Sequence, residues 1–128
     1  MKPISFVRLV LVLSLVFSGF AGMPALAQPE HESKSVTVQG EVLDLACYLG
    51  EGAQGAEHAE CAVKCLKAGQ PMGLKASDGK VYLLVSSHED DKPFKQAMDL
   101  GGQQVSVTGS LFEKDGMKAI EVASVKKL

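Results

Sequence analysis

The chain has 128 residues, with 15 acidic residues against 13 basic ones, no tryptophan and a formal net charge of −2. Its only arginine is Arg8, so it lacks the guanidinium groups that favour phosphate contacts and base readout. Aromatic residues that could stack on single strands are also scarce. Composition therefore argues against a nucleic-acid partner, and the length allows one small hydrophobic core rather than two.

The first 27 residues have the pattern of a cleavable signal peptide. Lys2 and Arg8 supply the positive charge, residues 9–20 are nearly all apolar, and residues 25–27 (Ala-Leu-Ala) are typical of a signal-peptidase site. We expect export to the periplasm, cleavage after Ala27 and a mature protein that does not stay attached to the membrane. Cleavage removes 27 of 128 residues and two of 13 basic ones, which leaves 101 residues with a net charge of −4.

The region after the signal peptide begins with a predicted strand and a helical insert. Residues 35–45 alternate between apolar and polar, and a shift of the apolar phase predicts a bulge or bend for which Gly40 gives room. A flexible glycine-rich loop is predicted for residues 50–55. A helix is predicted from Ala56 to Ala68, because strong helix formers are followed by a glycine.

The remaining elements are predicted to be two strands, a short helix and two more strands. Strands at 72–75 and 80–85 flank one Asp-Gly turn, and strands at 103–112 and 117–125 flank another. A capped helix at 91–100 separates the two pairs. Without the insert, this order is the connectivity of the OB-fold. We predict a mainly β, five-stranded OB-fold-like Greek-key barrel with a helical insert after strand 1 and a short helix between strands 3 and 4.

Two segments carry a resemblance to small exported bacterial OB-fold domains. Residues 101–112 (Gly-Gly-Gln-Gln-Val-Ser-Val-Thr-Gly-Ser-Leu-Phe) resemble the C-terminal part of such domains, and residues 36–42 (Val-Thr-Val-Gln-Gly-Glu-Val) resemble their first strand. The resemblance implies an OB-fold-like domain over residues 35–128, preceded by a flexible lead-in at 28–34. The insert at 47–69 is an addition to that layout, and the fold by itself implies no function.

The insert contains a concentration of metal-binding residue types. A helix over residues 56–68 advances about 100° per residue. Its apolar stripe, which should face the barrel, consists of Ala59, Ala62, Val63 and Leu66. His58, Cys61 and Cys65 lie roughly 115° away on a separate face. Cysteines that served only as small apolar residues would be expected within the stripe.

Two hypotheses explain the three cysteines. In the first, Cys47, Cys61 and Cys65 bind one soft metal ion, Cu or Zn, and Lys64 favours the thiolates. His58 is the candidate fourth ligand, although ~10.5 Å of helical rise separates it from Cys65 unless the helix starts after His58. In the second, Cys47 forms a disulfide with Cys61 or Cys65, as an oxidising compartment favours.

The two hypotheses predict different functions. The first predicts a non-enzymatic metal-handling or metal-sequestering protein, and the second predicts a disulfide-stabilised module that recognises a protein or a small ligand without a metal. A redox protein that cycles Cys61 and Cys65 is a third class and requires an exposed thiol of low pKa. The sequence has no Ser-His-Asp arrangement or close carboxylate pair that indicates an enzyme. The G-x-G-x-x-G match at 50–55 lacks the second parallel strand of a dinucleotide fold.

Overall fold

The computed structural model describes residues 33–128. The predicted signal peptide at 1–27 lies outside the described residues, and so does the predicted lead-in except for its last two residues, of which Lys34 already belongs to the first strand. Among the described residues, no helix has the length and apolar character needed to cross a membrane.

Five strands form the body of the protein. They are β1 (Lys34–Asp44), β2 (Met72–Ala76), β3 (Val81–Val85), β4 (Gln104–Lys114) and β5 (Met117–Lys127). They close into a barrel in the order β1-β2-β3-β5-β4. All neighbouring strands are antiparallel except β3 and β5, which are parallel. The predicted five-stranded, OB-fold-like barrel is therefore confirmed.

Helices occupy the two predicted places, after the first strand and between the third and fourth. Helix α1 spans Leu45–Glu51, a 3₁₀ turn spans Ala56–His58, α2 spans Ala59–Lys67 and α3 spans Lys92–Met98. The helix that we predicted over residues 56–68 thus begins as a 3₁₀ turn and is regular only from its fourth residue. Helix α1 was not predicted and takes up the end of the predicted strand and the start of the predicted loop.

The long strand β1 contacts two different neighbours along its length. Residues 34–41 pair with β4, and residues 40–44 pair with β2. Both ladders keep a continuous register, so of the predicted bulge or bend the bulge is absent from β1; the register shift lies in the pairing of β4 with β5, between Thr108 and Gly109. The change of apolar phase between Val42 and Leu43 instead follows shortly after residues 40–41, where β1 passes from one neighbour to the other. A Cβ at Gly40 would lie 2.3 Å from the Lys75 carbonyl oxygen, so only glycine fits this crossing.

The barrel interior is filled by apolar side chains from all five strands. One residue from α2 and one from α3 close its ends, so that the buried cluster consists of Val42, Leu66, Met72, Leu74, Leu84, Ala97, Val105, Val107, Ile120 and Val122. The apolar stripe predicted for the insert faces this core, since Ala62 and Leu66 are buried. This packing fixes the rotation of α2 about its axis and therefore the direction of its other faces.

Replacing Gly102 with alanine is expected to lower the free energy of unfolding by roughly 2–6 kcal/mol. Gly102 has a φ of 71°, and a Cβ there would lie 2.7 Å from the Ala59 Cα of α2. The variant thus combines an unfavourable backbone conformation with a steric clash, each of which costs about 1–3 kcal/mol. Urea denaturation of the metal-free protein measures the change.

Gly52→Ala is the matched control for this prediction. Gly52 has the same φ of 71°, but a Cβ added there would meet no atom within 4 Å. Gly52→Ala should therefore lower the free energy of unfolding only by the cost of the left-handed backbone conformation, about 1–3 kcal/mol. Equal losses in the two variants would show that the close approach of residue 102 to α2 does not constrain the insert.

Candidate metal centre

The position of Cys47 is set by a helix that starts directly at the end of β1. Asp44 is the last residue of the strand, and its Oδ1 accepts a hydrogen bond from the Ala46 N–H at 2.9 Å, which caps the first turn. The helix ends at Gly52, which has a left-handed conformation and donates its N–H to the Tyr48 carbonyl at 2.9 Å. Cys47 therefore lies in the first turn of α1, close to the Asp44 carboxylate.

The loop between the two insert helices is tied to the barrel. The Gly55 N–H donates to the Glu41 carboxylate, which is buried on β1. The Lys75 ammonium donates to Gln54 Oε1 at 2.7 Å and lies 5.3 Å from the centroid of the Tyr48 ring. These contacts hold the glycine-rich loop against β1 and β2 and bring the start of α2 back toward α1.

Three cysteine side chains converge in the space between the two helices. Cys47 comes from α1 and Cys61 and Cys65 from α2, and their Sγ atoms all lie within 4.8 Å of one another. Two thiolates bound tetrahedrally to one Zn²⁺ at ~2.3 Å lie ~3.8 Å apart. Rotamer adjustments of about 1 Å or less would therefore bring all three sulfurs to one ion.

Cys61 and Cys65 lie off the buried face of α2. Cys61 is exposed and Cys65 is half-buried, whereas Ala62 and Leu66 are buried in the core. A metal site requires this arrangement, because an ion must reach the sulfurs from solvent. Simple core packing of these two cysteines is inconsistent with their exposure.

The disulfide of the second hypothesis is not formed in the structure. Cys47, Cys61 and Cys65 are all free thiols. A disulfide joins two sulfurs at ~2.05 Å and leaves the third unused, whereas here all three side chains point to a common space. The arrangement is that of a three-ligand set rather than of a bonded pair.

His58 lies beside the three-cysteine set and not within it. It ends the 3₁₀ turn before α2, and its Nε2 is buried without a hydrogen-bond partner among residues 33–128. Its ligand nitrogen lies within 4.8 Å of ligand atoms of Cys47 and Asp44, which form a second set. The two sets share Cys47. Helix α2 begins at Ala59, so the helical rise that argued against His58 as a ligand does not apply, yet His58 faces Cys47 and Asp44 rather than the three-cysteine set.

Asp44 is the site residue that the sequence analysis missed. Its side chain is only 2 % exposed, and its Oδ2 is buried without a hydrogen-bond partner of regular geometry. The one available signal was a carboxylate between Leu43 and Leu45 at the end of an apolar strand, where an unpaired charge is costly. That position requires a partner, but only the fold identifies which groups face it.

The carboxylate of Asp44 controls the protonation of the neighbouring thiols. Its hydrogen-bonding interaction with Cys47, together with burial, raises the pKa of Cys47 to about 12. Burial and then Asp44 and Cys61 raise the pKa of Cys65. Burial is the largest influence on Asp44 and favours its neutral form, but the facing groups of Cys47, Ala46 and Cys65 outweigh it and lower its pKa. At neutral pH the metal-free site therefore holds one carboxylate and protonated thiols at Cys47 and Cys65.

These protonation states bear on two expectations, the role of Lys64 and the redox class. Lys64 was expected to favour the thiolates, and its ammonium forms an ion pair with Glu60 at 2.8 Å on the exposed side of α2. Glu60 and, to a smaller extent, Cys61 raise the pKa of Lys64, so the expected interaction is limited to one thiolate and is shared with Glu60. A cysteine used for thiol redox chemistry has a lowered pKa. The raised pKa of Cys65 is opposite to that requirement at this one position, and the raised pKa values of Cys47 and Cys65 are compatible with metal binding, in which the ion displaces the protons.

No protein-family model, curated protein or solved structure matches this chain. Of the expected resemblance to small exported OB-fold domains, the structure bears out the closed five-stranded barrel, the helical insert and the cysteine cluster. Because many unrelated functions share this type of barrel, the argument for function rests on the chemistry of the insert.

Proposed function

We propose that this protein binds a soft metal ion, Cu(I) or Zn²⁺, through the thiolates of Cys47, Cys61 and Cys65. The main support is the convergence of the three sulfurs from two separate helices to within 4.8 Å of one another. Thiolate sulfur selects these ions over Mg²⁺ or Ca²⁺, which prefer oxygen ligands. A divalent ion in this set would also neutralise most of the charge of the three thiolates.

The proposed role is metal handling or sequestration by a non-enzymatic protein outside the cytoplasm. The signal-peptide pattern of residues 1–27 supports the location. The exposure of Cys61 supports exchange of the ion, because one ligand of the set is accessible to solvent or to a competing chelator. A buried site used only for stability would enclose all of its ligands.

Expression of the full chain in a bacterium with a periplasm tests the location and the metal together. We expect periplasmic protein whose mass equals that of the 101 residues after Ala27, with at least one equivalent of Cu or Zn by elemental analysis. Removal of the metal by a chelator should expose three thiols to a thiol reagent, and readdition of Zn²⁺ should protect them again.

Two results would contradict the proposal. The first is reduced protein that takes up neither Cu(I) nor Zn²⁺, with thiols that react equally fast with and without the ion. The second is isolated protein without metal whose mass is two hydrogens lower, because this pattern indicates a disulfide in the exported form. A mass that includes residues 1–27 would contradict only the processing step.

A further inference from the structure

Two sets of metal-binding side chains meet at Cys47. One set consists of the three cysteines, and the other consists of Asp44, Cys47 and His58, whose ligand atoms also lie within 4.8 Å of one another. We propose that the protein binds a second cation in the set of Asp44, Cys47 and His58, with the Cys47 thiolate bridging the two ions. This inference rests on the proposed function, since it adds a neighbouring position to the three-cysteine site.

The first argument is that the second set contains two buried polar atoms without partners. Asp44 Oδ2 and His58 Nε2 are both buried and lack a hydrogen-bond partner of regular geometry among residues 33–128, and the groups that face the Asp44 carboxylate include the Cys47 and Cys65 thiols, which are weak donors. Buried polar groups are almost always satisfied, because an unpaired one destabilises the folded protein. Asp44 is only 2 % exposed, and its Oδ1 caps α1, so burial and this hydrogen bond hold the side chain in place. A cation bound by Asp44, Cys47 and His58 would give the buried carboxylate and the buried imidazole a common partner.

The second argument concerns the negative charge that the ligands of both sets carry. Three thiolates and the Asp44 carboxylate carry four negative charges, so one divalent ion leaves two of them uncompensated in a partly buried space. Lys64, the lysine that precedes Cys65, interacts with Cys61 but is already paired with Glu60 on the exposed side of α2, so it offsets little of this charge. A second divalent ion would bring the combined site to neutrality. Buried charges are tolerated when they are paired in this way or bind metals.

The donor atoms of the second set also define the kind of ion. One carboxylate oxygen, one imidazole nitrogen and one thiolate sulfur form a mixed set that suits Zn²⁺. Cu(I) prefers sulfur and should occupy the three-cysteine set alone. We therefore expect two equivalents of Zn²⁺ but one of Cu(I) per chain.

Native mass spectrometry of the reduced full-length protein with added Zn²⁺ tests the second position. Wild-type protein should carry two ions, His58→Ala should carry one, and the exposed-loop control His88→Ala should carry two. Asp44→Asn should also carry one, because asparagine can still cap α1 but supplies no charged oxygen. Chelator competition should show two binding steps in wild type, of which the weaker disappears in His58→Ala.

The possible outcomes distinguish failure of the second ion position from failure of the three-cysteine site. A wild type that binds one Zn²⁺, or a His58→Ala variant that binds two, would overturn the second position and leave the three-cysteine site standing. A wild type that binds no ion would overturn both. If Asp44→Asn does not fold, as judged by circular dichroism, His58→Ala decides the question alone, because His58 lies at the end of a 3₁₀ turn and makes no capping bond through its side chain.

Discussion

Replacing Cys47 with serine is expected to remove detectable Zn²⁺ binding altogether. Cys47 is the one side chain common to both ligand sets, so its loss breaks the three-cysteine set and the set of Asp44 and His58 together. Loss of a group that merely orients a metal ligand already weakens binding by about 10–100-fold, and loss of a ligand should exceed about 100-fold for each ion. Competition with a chromogenic chelator measures the affinity.

Leu49→Ser is the matched control for this variant. Leu49 lies on the same helix two residues further on and is 77 % exposed, so the substitution introduces the same residue without touching the ligands. It should bind Zn²⁺ as wild type does. Cys61→Ser should keep the ion of the second set, so a Cys47→Ser variant that binds as well as Cys61→Ser would contradict the bridging position of Cys47.

The barrel could be predicted because its determinants are local. Alternating apolar residues in 103–112 and the Asp-Gly turns at 78–79 and 115–116 encode strands and hairpins without knowledge of distant contacts. Helix α1 could not be predicted in the same way. Leu43, Leu45 and Cys47 continue an alternating pattern that favours a strand, but the cap formed by Asp44 turns the chain into a helix after the first of them. One side-chain hydrogen bond therefore outweighs the strand pattern.

The part of the candidate site that depends only on local sequence could be predicted in the same way. Helical spacing brings Cys61 and Cys65 to one face regardless of the rest of the fold. The return of Cys47 depends on contacts between the loop and the barrel, such as the bond from Gly55 to Glu41, which join residues distant in sequence. Asp44 was not predicted as part of the site, because its role follows from the direction in which α1 leaves β1. Local periodicity thus predicts pairs of ligands, and tertiary packing determines which further residues join them.

Zn²⁺ affinity is expected to rise steeply with pH, by a factor of about 100 per pH unit around neutrality if two thiol protons are released. Asp44 and burial raise the pKa of Cys47 to about 12, and burial and Asp44 raise the pKa of Cys65. Both thiols are therefore protonated in the metal-free protein at neutral pH, and the ion must displace both protons. Lower pH favours the protonated thiols and weakens binding, while higher pH reduces this competition until the thiols ionise without metal.

Calorimetry in buffers with different ionisation enthalpies counts the protons directly. Wild-type protein should release at least two protons on binding Zn²⁺ to the three-cysteine set, and Cys65→Ser should release one fewer, because serine stays protonated in either state. His88→Ala should release as many as wild type, since His88 is exposed and lies outside both ligand sets. Release of less than one proton would mean that the thiols are already ionised, and the coupling of the Asp44 carboxylate to Cys47 would then be wrong.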